Sequence, residues 1–262
     1  MCAWSVVLGL ALHFFEIKGD MKPIILTYGM GIGPEITRKA LKQELRAPVV
    51  LVGRECSFGS NIPTVSCVSD LGRYSLSIWK GRLSDAEPPE VAAVRWGVEQ
   101  CLAGQASALV TGPINKAKLV SQGFTFKGHT DFISSLCGAE AVMGFVGAGH
   151  HVALVTHHIP LMQVSSDLSY EKIIKTVHVA ECELRKKLGI QRPRIVLCGL
   201  NPHAGEEGVL GTEELNVITP AANLLREQGF DLEGPVSAET AFVKMVRKEK
   251  DLLVAMYHDQ AL

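Results

Sequence analysis

The sequence predicts an α/β protein whose mostly parallel sheets carry helices on both faces. Short apolar runs rich in Val, Ile and Leu alternate with longer segments of helical periodicity along the 262 residues, and this alternation is typical of βαβ units. The apolar runs are nearly continuous, as expected of strands that are buried on both faces. Gly is abundant, with 25 residues, while aromatic residues make up only 6%, which favours tight strand-to-helix turns over an aromatic-rich β-sandwich.

The individual elements follow from these patterns. The apolar runs predict strands at 23–28, 47–53, 107–112, 151–157, 194–200 and 251–257. The helical patterns predict helices at 34–45, 88–104, 131–138, 169–189, 212–229 and 237–250. The sequence stops at YHDQAL, directly after the last predicted strand. Because a compact domain rarely ends there without a further covering element, we expect a truncated or frameshifted chain.

Composition and charge exclude several classes of protein. Hydrophobic residues make up 47% and charged residues 20%, a globular balance that excludes a disordered or collagen-like chain. The formal net charge is −1, so no nucleic-acid partner is expected. The 7 Cys residues are odd in number and include no C-x-x-C pair, which argues against a disulfide framework or a zinc ribbon and suits a reducing cytoplasm. Cys198, in the apolar run RIVLCGL, is interpreted as a small buried hydrophobe.

The amino terminus contains one strongly apolar stretch, SVVLGLALHFF at residues 5–15. It is too short to span a bilayer, which needs about 20 apolar residues, and it lacks the basic n-region and cleavage site of a signal peptide. We therefore expect no membrane partner. We interpret residues 1–20 as upstream sequence translated in error before a true start at Met21. A signal or anchor and a genuine extension remain the alternatives.

Histidines follow three of the predicted strands. His157 and His158 follow the run at 151–157, His203 follows the next run, and His258 follows the last. Ligands of open α/β sheets bind beyond the carboxyl ends of the strands, and imidazole nitrogen suits Zn²⁺, Co²⁺ and related ions. His158, His203 and His258 are thus candidate metal ligands, and only one of the two adjacent histidines can point inward. A set of unrelated capping or core histidines is the alternative.

Two further segments are candidates for binding an anion. Gly128-His129-Thr130-Asp131 precedes an amphipathic helix, so that Thr130 or Asp131 is a candidate N-cap, and free backbone N–H groups there could hold a phosphate or carboxylate together with His129. Lys116, in TGPINKAKL, follows a strand and could face a phosphate. The alternatives are a plain helix cap with a solvent-facing histidine, and a solvated lysine.

Two further segments contain glycines and follow predicted strands. The glycines of GMGIGPEI (29–36) permit a tight turn, with Pro34 in the first turn of the next helix. Because the full G-x-G-x-x-G spacing is absent, we favour a structural turn over nucleotide binding. The loop NPHAGEEG (201–208) is strongly polar after a strand, as metal or substrate binding would require. No G-x-S-x-G nucleophile elbow or Walker A loop occurs.

Five motifs, in order, resemble the 4-hydroxythreonine-4-phosphate dehydrogenase family of pyridoxal phosphate biosynthesis: LVTGPINKAKL, FKGHTDF, ALVTHHIPL, LCGLNPHAGEEG and AMYHDQAL. The resemblance runs from about Met21 to Leu262. GMGIGPEI also resembles the GIGPE turn of isocitrate and isopropylmalate dehydrogenases, whose fold the family shares. The resemblance implies two α/β lobes flanking a cleft, which we place at 21–130 and 131–262. The second lobe would carry the metal site and the dimer interface, and the family's C-terminal return to the first lobe would be absent.

The resemblance also implies a site and a reaction. In the family, a homodimer binds a divalent metal (Zn, Co or Mg) at the subunit interface through three histidines, the third coming from the partner subunit. Matched motif by motif, these fall on His158, His203 and His258, and the substrate-binding His-Thr pair falls on His129 and Thr130. The implied reaction oxidises 4-phosphooxy-L-threonine with NAD or NADP and then releases CO₂, which leaves 3-amino-2-oxopropyl phosphate.

The chain departs from the family pattern in two places. The segment Tyr28-Gly29-Met30-Gly31 is shorter than the family's usual sequence before GIGPE. The family also continues past Y-H-D-Q, where it supplies further substrate-binding residues and the NAD loop. The motifs therefore assign no catalytic side chain and no cofactor-binding residue within the chain. Two other functions stay open: a sister dehydrogenase for another phosphorylated hydroxy acid, of the phosphoerythronate or threonate type, and an inactive truncated remnant.

Overall fold

The described chain divides into two compact α/β units. The computed structural model describes residues 22–45, 47–53, 58, 61–126, 128–139, 141–147 and 149–262. The first unit contains the described residues up to Ala141, and the second runs from Val142 to Leu262. The predicted extension at 1–20 lies outside the described residues. Within the described residues, no helix combines the length and the apolar character needed to cross a membrane.

The first unit is built on a parallel sheet. Its described strands are β1 (Ile24–Thr27), β2 (Val49–Val52), β3 (Thr64–Val65), β4 (Leu76–Trp79) and β5 (Ala108–Thr111). They lie in the order β3-β4-β2-β1-β5, and their recorded pairings are parallel. Its described α-helices are α1 (Gly33–Ala40), α2 (Pro89–Leu102), α3 (Lys116–Ser121) and α4 (His129–Cys137).

Both faces of the first sheet are buried. On one face, Ile25 and Val50 pack in a cluster with Trp96 of α2. On the other face, Tyr28 and Leu51 are buried in a separate cluster. This arrangement confirms the expectation, drawn from the continuous apolar runs, that the strands are covered on both sides.

The second unit repeats this architecture with one antiparallel strand. Its described strands are β6 (Met143–Gly147), β7 (His150–Leu154), β8 (Arg194–Cys198), β9 (Asp231–Val236) and β10 (Leu252–Ala255). Its described α-helices are α5 (Val164–Asp167), α6 (Tyr170–Leu188), α7 (Thr219–Glu227), α8 (Ala238–Val246) and α9 (His258–Ala261). The strand order is β6-β7-β10-β8-β9, and only the β6–β7 pairing is antiparallel among those described.

Successive side chains of β8 enter opposite cores of the second unit. Ile195 and Leu197 pack in the cluster that contains the buried faces of α6 and α7. Val196 and Cys198 pack in the cluster that contains the buried face of α8. Burial raises the pKa of the Cys198 thiol to about 12, which agrees with the interpretation of this residue as a small buried hydrophobe.

The structure adds elements that the sequence patterns did not predict. The edge strands β6 and β9 contain Gly144, Gly147 and the Gly234-Pro235 pair. Such residues weaken the strand pattern in the sequence but are tolerated in edge strands. The predicted helix 212–229 is a π-helical turn, Glu214–Ile218, followed by α7. The division between units falls after α4, whereas the sequence-based boundary at 130/131 falls inside it. Because α4 packs on α2, the whole helix belongs to the first unit.

Candidate metal and substrate sites

The three candidate metal ligands follow three neighbouring strands of the second sheet. His158 follows β7, His258 begins α9 directly after β10, and His203 follows β8. These strands are adjacent and parallel, in the order β7-β10-β8. Parallel strands bring their carboxyl ends to the same edge of the sheet, which is where ligands of open α/β folds bind.

The rings of His158 and His258 lie side by side. Their centroids are 5.6 Å apart. Two imidazoles on one tetrahedral Zn²⁺, with Zn–N bonds of about 2.0–2.1 Å, would place their centroids about 5 Å apart. His158 is exposed and His258 is half-buried, so both rings are accessible. This pair therefore fits the donor set and the spacing of part of a metal site.

His203 begins an unusual turn. The left-handed turn, residues 203–207, has positive φ at five successive positions, including 51° at His203, 54° at Ala204, 43° at Glu206 and 54° at Glu207. A left-handed conformation costs a residue other than Gly about 1–2 kcal/mol. Such a turn persists only where its surroundings determine it, and strained backbone of this kind clusters at functional sites.

A buried carboxylate holds the base of this turn. Glu214, in the π-helical turn, accepts hydrogen bonds from the backbone N–H groups of Leu200 at 2.7 Å and Asn201 at 2.8 Å. It also accepts one from Nδ2 of Asn201 at 2.9 Å. A Cβ on Gly205 would lie 2.7 Å from Oε2 of Glu214, so the glycine makes room for the carboxylate. π-Helical turns are rare and often mark functional sites.

Glu213 extends this network to the segment that follows His158. Its carboxylate accepts hydrogen bonds from Oγ of Ser165 at 2.6 Å and from Nδ2 of Asn201 at 2.8 Å. These two hydrogen bonds, that of Ser165 first, lower the pKa of Glu213. The loops that follow β7 and β8 are thus joined through one ionised side chain.

The described chain does not unite all three candidate ligands. Among the described residues, no group of three or more His, Cys, Asp or Glu side chains is placed to hold a metal ion. The structure brings His158 and His258 together, whereas His203 stays outside a three-residue cluster. A single chain therefore brings together two of the three candidate ligands, and the partner-subunit ligand stays a prediction.

The candidate anion site lies at the start of α4 in the first unit. Gly128 is the N-cap residue, and within the described part of the chain no side chain caps the first turn. The prediction of Thr130 or Asp131 as N-cap is wrong, because α4 begins at His129 and includes both. The backbone N–H groups of this first turn are the ones that hold anions at helix termini.

His129 and Lys116 are neighbours at this helix start. A Cβ on Gly128 would lie 3.8 Å from Nζ of Lys116, which places the ammonium beside the N-cap. Nε2 of His129 is buried and has no hydrogen-bond partner among the described residues. Burial and, secondarily, the charge of Lys116 lower the pKa of His129. The sequence-predicted lysine and His-Thr pair therefore share one corner of the first unit.

The glycines of GMGIGPEI have a structural explanation. Gly29 has φ of +62°, and a Cβ there would collide with the carbonyl oxygen of Pro113. Met30 donates its N–H to that same oxygen at 2.8 Å. The turn thus packs backbone against backbone after β1 and β5, which supports its interpretation as a structural turn.

Several polar residues of the second unit were missed by the sequence reasoning. They are Thr156, Glu213, Glu214 and Gln260. All lie within a few residues of a candidate histidine or in the segment after the polar loop. Their adjacency to strand ends is visible in the sequence, but burial of Glu214 follows only from the three-dimensional fold.

The comparisons with known proteins agree on one family. A family model described as "Pyridoxal phosphate biosynthetic protein PdxA" matches residues 71–262. The chain is similar to 4-hydroxythreonine-4-phosphate dehydrogenase of Zymomonas mobilis, with 36% identity over 267 residues that cover 92% of this chain and 80% of the relative. The enzyme of that name from Methylococcus capsulatus is 45% identical over 166 residues, which cover 63% of this chain and 50% of the relative. The chain thus aligns with half of one relative's length and four-fifths of the other's.

The fold gives the same result. A crystal structure titled as a 4-hydroxythreonine-4-phosphate dehydrogenase from Burkholderia phymatum superposes with a TM-score of 0.78 at 30% identity. The superposition covers 92% of this chain and 81% of that structure.

Proposed function

The chain belongs to the family of the pyridoxal phosphate biosynthetic protein PdxA, and from this membership we propose that it oxidises 4-phosphooxy-L-threonine with NAD or NADP. Loss of CO₂ from the resulting β-keto acid would give 3-amino-2-oxopropyl phosphate. The family is one of dehydrogenases by the names of its curated members, and the resemblance seen in the five motifs is confirmed at this level. The observation that carries the proposal is the match of the family model to residues 71–262.

We assign a divalent metal, Zn, Co or Mg, to His158, His203 and His258. When bound, such an ion lowers the pKa of a coordinated hydroxyl group and offsets negative charge that develops on oxygen. The chain would contribute imidazole nitrogens as donors. Neutral imidazoles, unlike carboxylates, leave the positive charge of the ion undiminished. The ends of two neighbouring strands place two of these rings 5.6 Å apart between centroids.

We further propose a homodimer in which the partner subunit completes the metal site. Exposed apolar side chains lie next to two of the candidate ligands: Leu161 and Met162, 69% and 92% exposed, follow His158, and Val209, 79% exposed, follows His203. The hydrogen bond from Ser165 to Glu213 joins these two segments. Exposed apolar clusters mark protein interfaces, so this surface supports a subunit contact beside the histidines.

We assign substrate binding in the first unit to His129 and Thr130. An anion at the start of α4 would meet the N–H groups of its first turn, Nε2 of His129 and the ammonium group of Lys116. Because the pKa of His129 is lowered, the ring stays neutral near pH 7 and can donate from one nitrogen. A substrate phosphate is the anion that the proposed reaction supplies.

The hydride acceptor in this proposal is NAD or NADP, to which we assign no residue of the chain. A cytoplasmic location is part of the same proposal, because both the dinucleotide and reduced thiols belong to that compartment. Cys67 and Cys137 carry thiols rather than disulfides, which is consistent with it.

A substrate panel tests the proposed function. The metal-supplemented 262-residue protein is incubated with NAD or NADP and 4-phosphooxy-L-threonine, and reduced nicotinamide and released CO₂ are measured together. We expect the highest kcat/KM with this substrate and its loss in the His258→Ala variant. A preference for phosphoerythronate or a phosphorylated threonate would favour the sister dehydrogenase. A metal-loaded protein that turns over none of these substrates would favour the inactive remnant.

A further inference from the structure

Side-chain hydrogen bonds join the three histidine-bearing segments just beyond the end of the second sheet. The backbone pairing of β10 with β8 reaches Val254 opposite Leu197, and its pairing with β7 reaches Ala255 opposite Leu154. Beyond these points, backbone hydrogen bonds continue between the segments of His158 and His258, from the N–H of Val155 to Ala255 and from that of Thr156 to Met256. The pairing of β8 with β10, in contrast, ends there in the described part of the chain. The segments remain connected there through the side chains of Thr156 and Gln260.

Both ends of the Gln260 amide are used. Its Nε2 donates to the carbonyl oxygen of Gly199 at 2.6 Å. Its Oε1 accepts from the backbone N–H of Met256 at 2.7 Å. Gly199 precedes His203 by one short loop, and Met256 lies two residues before His258. One side chain thus replaces the ladder between β8 and β10 where their backbones no longer pair.

The same network reaches the segment of His158. The carbonyl oxygen of Met256 accepts from the backbone N–H of Thr156 at 3.0 Å and from its Oγ1 at 2.7 Å. On the far side, Gly199 donates its N–H to the carbonyl oxygen of Val236 at 2.8 Å. The peptides that precede all three histidines are therefore held in one continuous frame.

We propose that Gln260 is a positioning residue for the metal site, which fixes the His258 turn and the His203 loop to a common frame. This inference rests on the proposed function, because it presumes that the histidines bind a metal. Gln260 itself is given no contact with metal or substrate. Its two hydrogen bonds fix the directions in which the His203 loop and the His258 turn leave the sheet. This role is the same whether the metal ligands come from one chain or are shared with a partner subunit.

The chemistry of the amide makes the proposal specific. Gly199 offers an acceptor and Met256 offers a donor, so the bridging group must donate at one end and accept at the other. Gln260→Glu keeps the size and the acceptor but loses the donor, and places a carboxylate against a carbonyl oxygen. Gln260→Leu keeps the approximate volume and loses both hydrogen bonds.

The test measures metal affinity rather than turnover. The metal-free 262-residue protein is titrated with Co²⁺ in competition with a chromogenic chelator, and each variant is also melted without metal. Gln228→Leu is the matched control, because Gln228 also makes a side-chain hydrogen bond, to His178 at 2.9 Å, but lies after α7 and before the amino end of β9. We expect Gln260→Glu and Gln260→Leu to bind Co²⁺ at least about tenfold more weakly than wild type, the scale of losses for residues that orient metal ligands. Gln228→Leu should bind as wild type does.

Each outcome decides the matter. Cooperative melts with tenfold weaker Co²⁺ binding in the Gln260 variants support a positioning role. Unchanged Co²⁺ affinity in a variant that melts cooperatively overturns it and leaves Gln260 a purely structural residue. If Gln260→Leu does not fold, the isosteric Gln260→Glu decides by the same criterion. Absence of Co²⁺ binding in wild type refutes the metal assignment itself, and the positioning role with it, whereas a Gln260-specific failure leaves that assignment standing.

Discussion

His158 and His258 are the residues on which the metal assignment depends most directly. Each would provide one donor to the proposed ion, and their rings are adjacent at 5.6 Å between centroids. Removing either should weaken Zn²⁺ or Co²⁺ binding by one to two decades or more, since even residues that only orient ligands cost about 10–100-fold. Equilibrium titration of His158→Ala and His258→Ala with Co²⁺ measures this loss.

The control for that measurement is another histidine of the same unit. His178 lies on α6 and contacts Gln228 and Phe230, which precede the amino end of β9 rather than following the carboxyl end of a strand. His178→Ala should bind Co²⁺ as wild type does. Equal weakening in all three alanine variants would show that the losses report general destabilisation and would contradict the assignment.

His129 provides a prediction about pH. Burial lowers the pKa of His129 below the ordinary histidine value of about 6.5, so the unfolded chain takes up a proton at a higher pH than the folded chain does. The stability that the neutral His129 ring contributes is therefore fully present above the unfolded-state pKa of about 6.5. The free energy of unfolding falls as the pH decreases from there towards the lower pKa of the folded state, by at most about 1.4 kcal/mol per pH unit for one proton.

Urea denaturation of wild type and His129→Gln at several pH values between neutrality and mild acid isolates this contribution. Because the two proteins differ at this residue alone, the difference between the two curves is the informative quantity. We expect wild type to lose more stability on acidification than His129→Gln does. Parallel curves would mean that His129 binds its proton equally well in the folded and unfolded states.

At the scale of elements, the loop that carries His203 depends on one buried carboxylate. Glu214 accepts three hydrogen bonds from the Leu200–Asn201 segment, and the left-handed turn follows directly. In Glu214→Gln one of these donors would face an NH₂ group instead of an oxygen. An unsatisfied buried group costs about 1–3 kcal/mol, so urea denaturation should show a loss of stability of that order.

Glu207→Gln is the matched control, because Glu207 belongs to the same turn but is exposed. Exposed substitutions away from such contacts usually change stability by less than about 0.5 kcal/mol. If both variants unfold at the same urea concentration as wild type, Glu214 does not hold the turn.

Elements also show where the sequence was sufficient and where it was not. The apolar runs predicted the strands β1, β2, β5, β7, β8 and β10. In β2, β8 and β10 the runs reflect burial on both faces. The edge strand β9 was not predicted, because it contains the Gly234-Pro235 pair. Gly and Pro are tolerated in edge strands but indicate a break in a strand when only the sequence is considered. The left-handed turn and the π-helical turn were not predicted either. Both involve the buried Glu214, which follows the loop in sequence and meets the base of the turn only in the folded structure.

The candidate site was predictable to the same degree. The rule that ligands bind after strand ends selected His158, His203 and His258 from the sequence. The adjacency of His158 and His258 depends on the neighbouring positions of β7 and β10 in the sheet, which is a long-range property that local periodicity does not encode. The proximity of Lys116 to His129 also could not be predicted from the sequence. Lys116 had been identified only as a residue that follows a strand, and His129 only as a residue that precedes a helix.

At the scale of the whole molecule, the proposed homodimer would account for both the incomplete ligand set and the exposed apolar side chains. Met162 is 92% exposed and lies beside the segment that carries His158. A charge at this position would have to be buried unpaired in the proposed subunit contact, which is strongly unfavourable. We expect Met162→Asp to shift the protein from dimer to monomer in sedimentation velocity at a fixed protein concentration. Since the partner subunit is proposed to supply the third ligand, the same variant should also lose Co²⁺ affinity.

Val246→Asp is the control for this last prediction. Val246 is 70% exposed at the end of α8, so it presents a similar apolar surface that the proposed contact does not use. This variant should stay dimeric and bind Co²⁺ as wild type does. A cooperative melt in Met162→Asp separates dissociation from unfolding, because the second unit buries its own two cores without the exposed segment. A monomeric Met162→Asp that retains wild-type Co²⁺ affinity would place all three donors within one chain and reject the shared site, whereas joint loss of dimer and affinity ties metal binding to the subunit contact.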